Sequence, residues 1–169
     1  MATDDAPILP QWPLQSSLTL SSPAATDALA QSLSGRLKPG DVLLLSGHLG
    51  SGKSHFARAL IRARLQTPEL PVPRPTFTLV QTYAALDGAE IWHADLYRLG
   101  DPGELIELGL DDALETAICL IEWPDRMAPD WPDATILNFT VTGDDTRQMD
   151  VFAPASSTLA ARLFSGISA

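Results

Sequence analysis

Gly47-His48-Leu49-Gly50-Ser51-Gly52-Lys53-Ser54 fits the pattern G-x-x-x-x-G-K-[ST], and its flanks are the ones that pattern requires. In front of it Asp41-Val42-Leu43-Leu44-Leu45-Ser46 is a short apolar run with the length of a buried strand. Behind it His55-Phe56-Ala57-Arg58-Ala59-Leu60-Ile61 suits a helix. Glycines at such a turn let backbone N–H groups point inward, and the helix that follows adds its positive N-terminal end. The spacing therefore predicts a phosphate cradle built from Gly47, Leu49, Gly50, Ser51, Gly52, Lys53, Ser54 and His55. Lys53 would reach the β/γ-phosphates as a point charge, and the Ser54 hydroxyl would sit in the shell of a Mg²⁺ ion. The expected ligand is a nucleoside triphosphate, ATP, with Mg²⁺.

The rest of the chain supplies an α/β frame around that turn. A strand is expected over 17–20, then a helix capped by Ser21 or Ser22, opened by Pro23 and ended by Pro39-Gly40. After the strand 41–46, the turn and a helix to about 65, four prolines between 67 and 75 forbid helix or central strand. Alternation then predicts strands over 76–83 and 89–95, joined by a hairpin at Asp87-Gly88. Short helices over 104–108 and 111–115 precede a buried strand over 117–122. Prolines 124, 129 and 132 mark an irregular connection. A hairpin around Gly143-Asp144-Asp145 joins strands 134–142 and 146–153, and a helix from 156 to about 164 closes the chain. The expected fold is α/β, P-loop NTPase-like: a mixed sheet flanked by helices in a single domain over 16–169, with residues 1–15 as a loosely ordered arm.

Composition narrows the function. The 21 acidic residues against 11 basic ones give a net charge of −10, which argues against an independent grip on nucleic acid. The apolar runs are too short to span a bilayer, and the N-terminal sequence shows no secretory pattern. Cys119 is the single cysteine and lies in an apolar run, the pattern of a buried small hydrophobe in a reducing, cytoplasmic compartment. Arg58, Arg62 and Arg64 read as charges on a solvated helix face, and Arg147 either as solvated or as a neighbour of the base.

Hydrolysis needs more than the cradle: a carboxylate for the metal, and a group that orients water. Asp95 and Glu122 both end apolar strands, and either fits either task. Thr76, just after the proline-rich segment, is a candidate switch residue near the terminal phosphate. His93 by itself is not a metal site.

Together with the cradle, Pro75-Thr76-Phe77-Thr78-Leu79-Val80, His93-Ala94-Asp95-Leu96-Tyr97-Arg98-Leu99 and Ile121-Glu122-Trp123-Pro124 resemble the TsaE (YjeE) family of bacterial tRNA threonylcarbamoyladenosine biosynthesis. The resemblance covers roughly residues 18 to 155. It implies an ATPase that assists a complex containing TsaD and TsaB in modifying adenosine 37 of tRNAs that read codons beginning with A, the tRNA being held by the complex. It further implies that Lys53 and the loop amides hold phosphate and that Ser54 and Glu122 flank Mg²⁺. By the same resemblance Thr76 is switch-like, Asp95 is a Walker-B-like or water-positioning acid, and Trp123 belongs to a mobile segment. The chain departs from the family pattern at His48, where an acid is usual, at Arg74, where a serine is usual, and at Ser54-His55, where two threonines are usual. Two other readings of the same loop are a small-molecule kinase and a nucleotide-dependent binding switch. The first expects an arginine-bearing lid, and 124–133 offers only Arg126.

Overall fold

The computed structural model describes residues 10–126 and 133–167. The order is β1 (Leu14–Leu20), α1 (Pro23–Ser34), β2 (Val42–Ser46), α2 (Lys53–Arg64), β3 (Val80–Ala84), β4 (Glu90–Asp95), α3 (Gly103–Leu108), α4 (Leu110–Thr116), β5 (Ile118–Glu122), β6 (Thr135–Val141), β7 (Arg147–Phe152) and α5 (Thr158–Phe164). A short 3₁₀ turn, Pro124–Arg126, follows β5. The strands form one mixed sheet in the order β1-β7-β6-β2-β5-β4-β3. Its centre, β6-β2-β5-β4, is parallel; the hairpins β3–β4 and β6–β7 and the pairing of β1 with β7 make both edges antiparallel.

Central position explains the sequence of the strands. Every residue of β2 and β5 is buried, because helices cover both faces of the sheet there. Leu43, Leu45, Ile91, Ile118 and Leu120 pack on one side with Leu29 and Leu33 of α1, Phe56, Leu60 and Ile61 of α2, and Leu159 and Leu163 of α5. Leu44, Ala94, Cys119 and Ile121 point the other way, against Leu105, Leu110 and Ala113 of α3 and α4. In α2 the buried positions Lys53, Phe56, Ala57, Leu60 and Ile61 repeat at helical spacing, so one stripe faces the sheet. Phe56 meets Phe139 of β6 with ring centroids 5.5 Å apart, and burying such a side chain stabilises the fold by about 1.5–3 kcal/mol. Ser22 caps α1 by accepting from the Ala25 N–H, with Pro23 in the first turn, as the sequence predicts.

Three expectations are corrected. The strand expected over 76–83 begins only at Val80. Residues 76–79 instead form a turn across the strand ends: Leu79 takes φ 66° and accepts from the Asp95 N–H, while Phe77 is 82% exposed. Leu14 and Gln15, read as the end of the arm, already belong to β1. The arginines of α2 are not a solvated face. Arg58 Nε donates to the Val72 carbonyl, Arg62 Nε donates to that of Leu70, and Arg64 donates to the carbonyls of Ser34 and Leu37. They pin the proline-rich loop and the end of α1 to α2. The first nine residues of the arm, and Pro129 and Pro132 of the irregular connection, lie outside the described residues. Among the described residues no helix is long and apolar enough to cross a membrane.

Candidate nucleotide-binding site

Register assembles the site. In the parallel centre Asp95 of β4 lies beside Glu122 of β5, and Glu122 lies beside Leu45 of β2, one residue before that strand ends. The phosphate loop and both carboxylates thus share the carboxyl edge of the sheet, where open α/β sheets bind ligands. Ile91 faces α2, so alternation aims His93 and Asp95 of the same strand at that side as well.

The loop has the backbone its glycines predict. Gly47 has φ 135°, and a Cβ there would stand 2.5 Å from the Phe139 carbonyl oxygen, so only glycine fits. Gly52, at φ 110°, is the N-cap of α2 without a side-chain cap, which leaves the first-turn N–H groups pointing into the cleft. Lys53 is 4% exposed. Its Nζ donates to the carbonyls of Gly47 at 2.6 Å and His48 at 2.9 Å, and lies 4.1 Å from the centroid of the Trp123 ring. Burial pulls its pKa below the ordinary lysine value, against the attraction of Glu122, while Arg74 adds to the lowering. A phosphate entering the loop would exchange those carbonyl partners for stronger charge-assisted ones.

Both carboxylates are fully buried and fully partnered. Glu122 Oε1 accepts from the Ser54 hydroxyl at 2.6 Å, and Oε2 lies 2.6 Å from His93 Nε2. Burial raises its pKa, but His93, Ser54 and Arg74 together outweigh burial and leave it below the ordinary glutamate value. Asp95 Oδ1 accepts from the Tyr97 N–H at 3.0 Å, Oδ2 accepts from the Thr76 hydroxyl at 3.2 Å, and Arg74 Nη2 stands 3.6 Å from Oδ2.

The donor set fits a hard cation. Ser54 and Glu122 offer adjacent oxygens, whereas no group of three or more His, Cys, Asp or Glu side chains among the described residues could hold a metal by itself. An ion at Ser54 and Glu122 would complete its shell from water and phosphate, the usual arrangement for Mg²⁺.

A cleft of about 380 Å³ opens over the loop, lined among others by Gly50, Gly52, Lys53, Ser54, Arg74 and Arg147. Leu49 and His55 lie on it too; His55 Nε2 is 2.7 Å from Asp27 Oδ1 of α1. The predicted residues Lys53, Ser54, Thr76, Asp95 and Glu122 therefore converge. Ser51 turns its side chain inward, 1% exposed, so it offers only backbone to a ligand. Arg147 is not simply solvated. It reaches the cleft beside Gly52 while donating to the carbonyls of Gly143, Asp144 and Thr146. His93 is the residue sequence reasoning missed: it is no ligand by itself, yet it fixes Glu122. The signal was its position, two before Asp95 on a strand and hence on the same face.

Comparison with known proteins identifies the family. The family described as "Threonylcarbamoyl adenosine biosynthesis protein TsaE" matches residues 20–150, which include every site residue above. The chain is 37% identical over 139 residues to the Rickettsia bellii protein named "tRNA threonylcarbamoyladenosine biosynthesis protein TsaE", covering 82% of this chain and 95% of that one. The Rickettsia conorii protein of the same name is 44% identical over 107 residues, 63% of this chain, and the match spans only 60% of that protein's length. The Bacillus subtilis protein of that name is 34% identical over 131 residues, 76% of this chain and 79% of its own. Among solved structures, Bacillus subtilis YdiB superposes with a TM-score of 0.68 at 26% identity, covering 89% of this chain and 95% of that one. With its phosphate loop, paired strand-end carboxylates and matched span of residues 20–150, this chain belongs to the TsaE family.

Proposed function

We propose that this protein is a Mg²⁺-dependent ATPase that serves formation of threonylcarbamoyladenosine in tRNA as an accessory to the proteins that carry out the transfer. The observation that carries the proposal is the pairing of Ser54 and Glu122 at 2.6 Å directly behind Lys53 and the first turn of α2. Triphosphate held by the loop would meet the metal-side hydroxyl and carboxylate at once. Mg²⁺ there would neutralise charge developing on the phosphates. Lys53 and the loop N–H groups hold the phosphates, Ser54 and Glu122 orient toward the metal, and Asp95 with Thr76 orients the attacking water. The names of the relatives support the tRNA modification, and the acidic balance, net charge −10, supports leaving the tRNA to partner proteins, TsaD and TsaB homologues. Cytoplasm is the compartment this role requires.

Calorimetric titration of the full chain tests the binding half. MgATP should bind at one site per chain. Lys53→Ala should weaken it at least about tenfold, the scale of removing one charge-assisted hydrogen bond. Equal affinity in the two proteins would remove the loop from nucleotide binding.

A further inference from the structure

Arg74 stands between two prolines on the loop 67–75, and none of the roles assigned above falls to it. Pro73 and Pro75 restrict the backbone on both sides of it. The loop is also tied to α2, since Arg58 holds the Val72 carbonyl and Arg62 that of Leu70. The helix that begins at Lys53 therefore also sets where Arg74 leaves the backbone. Its side chain is 41% exposed and lines the same cleft as Lys53 and Ser54. It stands 3.6 Å from Asp95, beyond hydrogen-bond range, and among the described residues its guanidinium makes no hydrogen bond. The other arginines of the cleft are committed: Arg58 and Arg147 donate to backbone carbonyls. Arg74 thus has its N–H donors unspent. It also bears on both ends of the phosphate site, since its charge contributes to lowering the pKa of Lys53 and of Glu122.

We propose that Arg74 is a catalytic arginine supplied by the chain itself: resting beside Asp95, it turns its guanidinium onto the terminal phosphate of bound ATP and stabilises the charge that spreads over that group during hydrolysis. The proposal rests on the ATPase reading above. In that reaction a water oxygen forms a bond to the γ-phosphorus. The bond from that phosphorus to the β–γ bridging oxygen breaks, and its electron pair leaves with ADP. The proton lost by water goes through the phosphate product to solvent. Positive donors brought around the transferring group are the main protein contribution to such a step, and an arginine in this role is worth about 10³–10⁵ in rate. A guanidinium fits because its planar fork matches phosphate oxygens two at a time, which an ammonium cannot do.

The alternative is that Arg74 only neutralises buried Asp95. Three proteins separate the two: the full chain, Arg74→Ala and Arg74→Lys, with Lys53→Ala as blank. Steady-state hydrolysis, calorimetric binding of MgADP with and without aluminium fluoride, and a thermal melt are read for each. We expect Arg74→Ala to lose at least about 100-fold in kcat while its MgADP affinity stays within about threefold. The extra affinity that aluminium fluoride gives MgADP should vanish with it. Arg74→Lys should keep the melting temperature, because the ion pair with Asp95 survives, yet recover little of the rate. Millimolar guanidinium should restore part of the turnover of Arg74→Ala. A kcat within about threefold of the unmodified chain overturns the proposal, as does a loss of MgADP affinity in step with kcat, which marks uniform binding. Those results leave the ATPase reading standing. Hydrolysis by the unmodified chain no faster than by the Lys53→Ala blank, with no gain from aluminium fluoride, overturns both.

Discussion

Glu122 shows how one residue can be buried, charged and stable. Its two oxygens are divided between Ser54 and His93, and neither faces solvent. Removing a partner leaves a buried carboxylate short of a hydrogen bond, which costs about 1–3 kcal/mol. His93→Ala should therefore lower the melting temperature by several degrees, and it should raise the Mg²⁺ concentration needed for half-maximal nucleotide binding. His93→Gln, which restores a donor, should recover much of both in a melt and a Mg²⁺ titration. A melt lowered equally in both variants with unchanged Mg²⁺ dependence would limit His93 to packing. Glu122 also carries a pH signature. Its folded pKa lies below the ordinary 4.5, so the ionised form favours the fold. That contribution is complete above the ordinary value and is lost as pH falls through the folded one. Glu122→Gln should accordingly lose less melting temperature than the unmodified chain on acidification from about pH 6 to below the glutamate range. Parallel acid limbs would show that the carboxylate contributes nothing.

At the scale of elements, the phosphate loop is held by β6 as much as by its own glycines. Gly47 and Gly50 both have positive φ, at 135° and 80°, but a Cβ on Gly47 collides with the Phe139 carbonyl while one on Gly50 meets open space. Gly50→Ala should cost about 1–2 kcal/mol, the left-handed penalty alone. Gly47→Ala should cost more, because β6 cannot move without breaking its pairing with β2. Chemical denaturation of the two variants checks the order; equal midpoints would contradict it. The elements were largely legible. Apolar runs with punctuation marked β2, α2, β4 and β5 to within a residue or two: β2 and β5 are buried on both faces and read as unbroken apolar runs, while α2 shows a single buried stripe. The stretch 76–79 was not legible, because its β-branched and aromatic residues favour a strand locally. What turns it is distant: the Thr76 hydroxyl goes to Asp95 and the Leu79 carbonyl to the Asp95 N–H. The α2 arginines escaped for the same reason, since their acceptors are backbone carbonyls on other segments. His93 escaped because its partner lies 29 residues away. Periodicity reports which face a residue takes and is silent about who meets it there.

For the whole molecule, the parallel centre of the sheet brings loop, carboxylates and proline-rich segment to one edge, and the antiparallel hairpins close the two sides. The chain as a whole carries a net charge of −10, which repels a polyanion and favours protein partners with complementary charge. In the proposed function the tRNA is accordingly held by those partners. The direct test is steady-state ATP hydrolysis by the full chain, alone, with tRNA alone, and with purified TsaD and TsaB homologues plus tRNA, against Lys53→Ala. The expected result is Mg²⁺-dependent turnover that is absent in Lys53→Ala, indifferent to tRNA alone, and changed several-fold by the partner proteins. Turnover equal to that of Lys53→Ala in all three conditions, or turnover indifferent to the proteins but accelerated by a small-molecule phosphate acceptor, would contradict it.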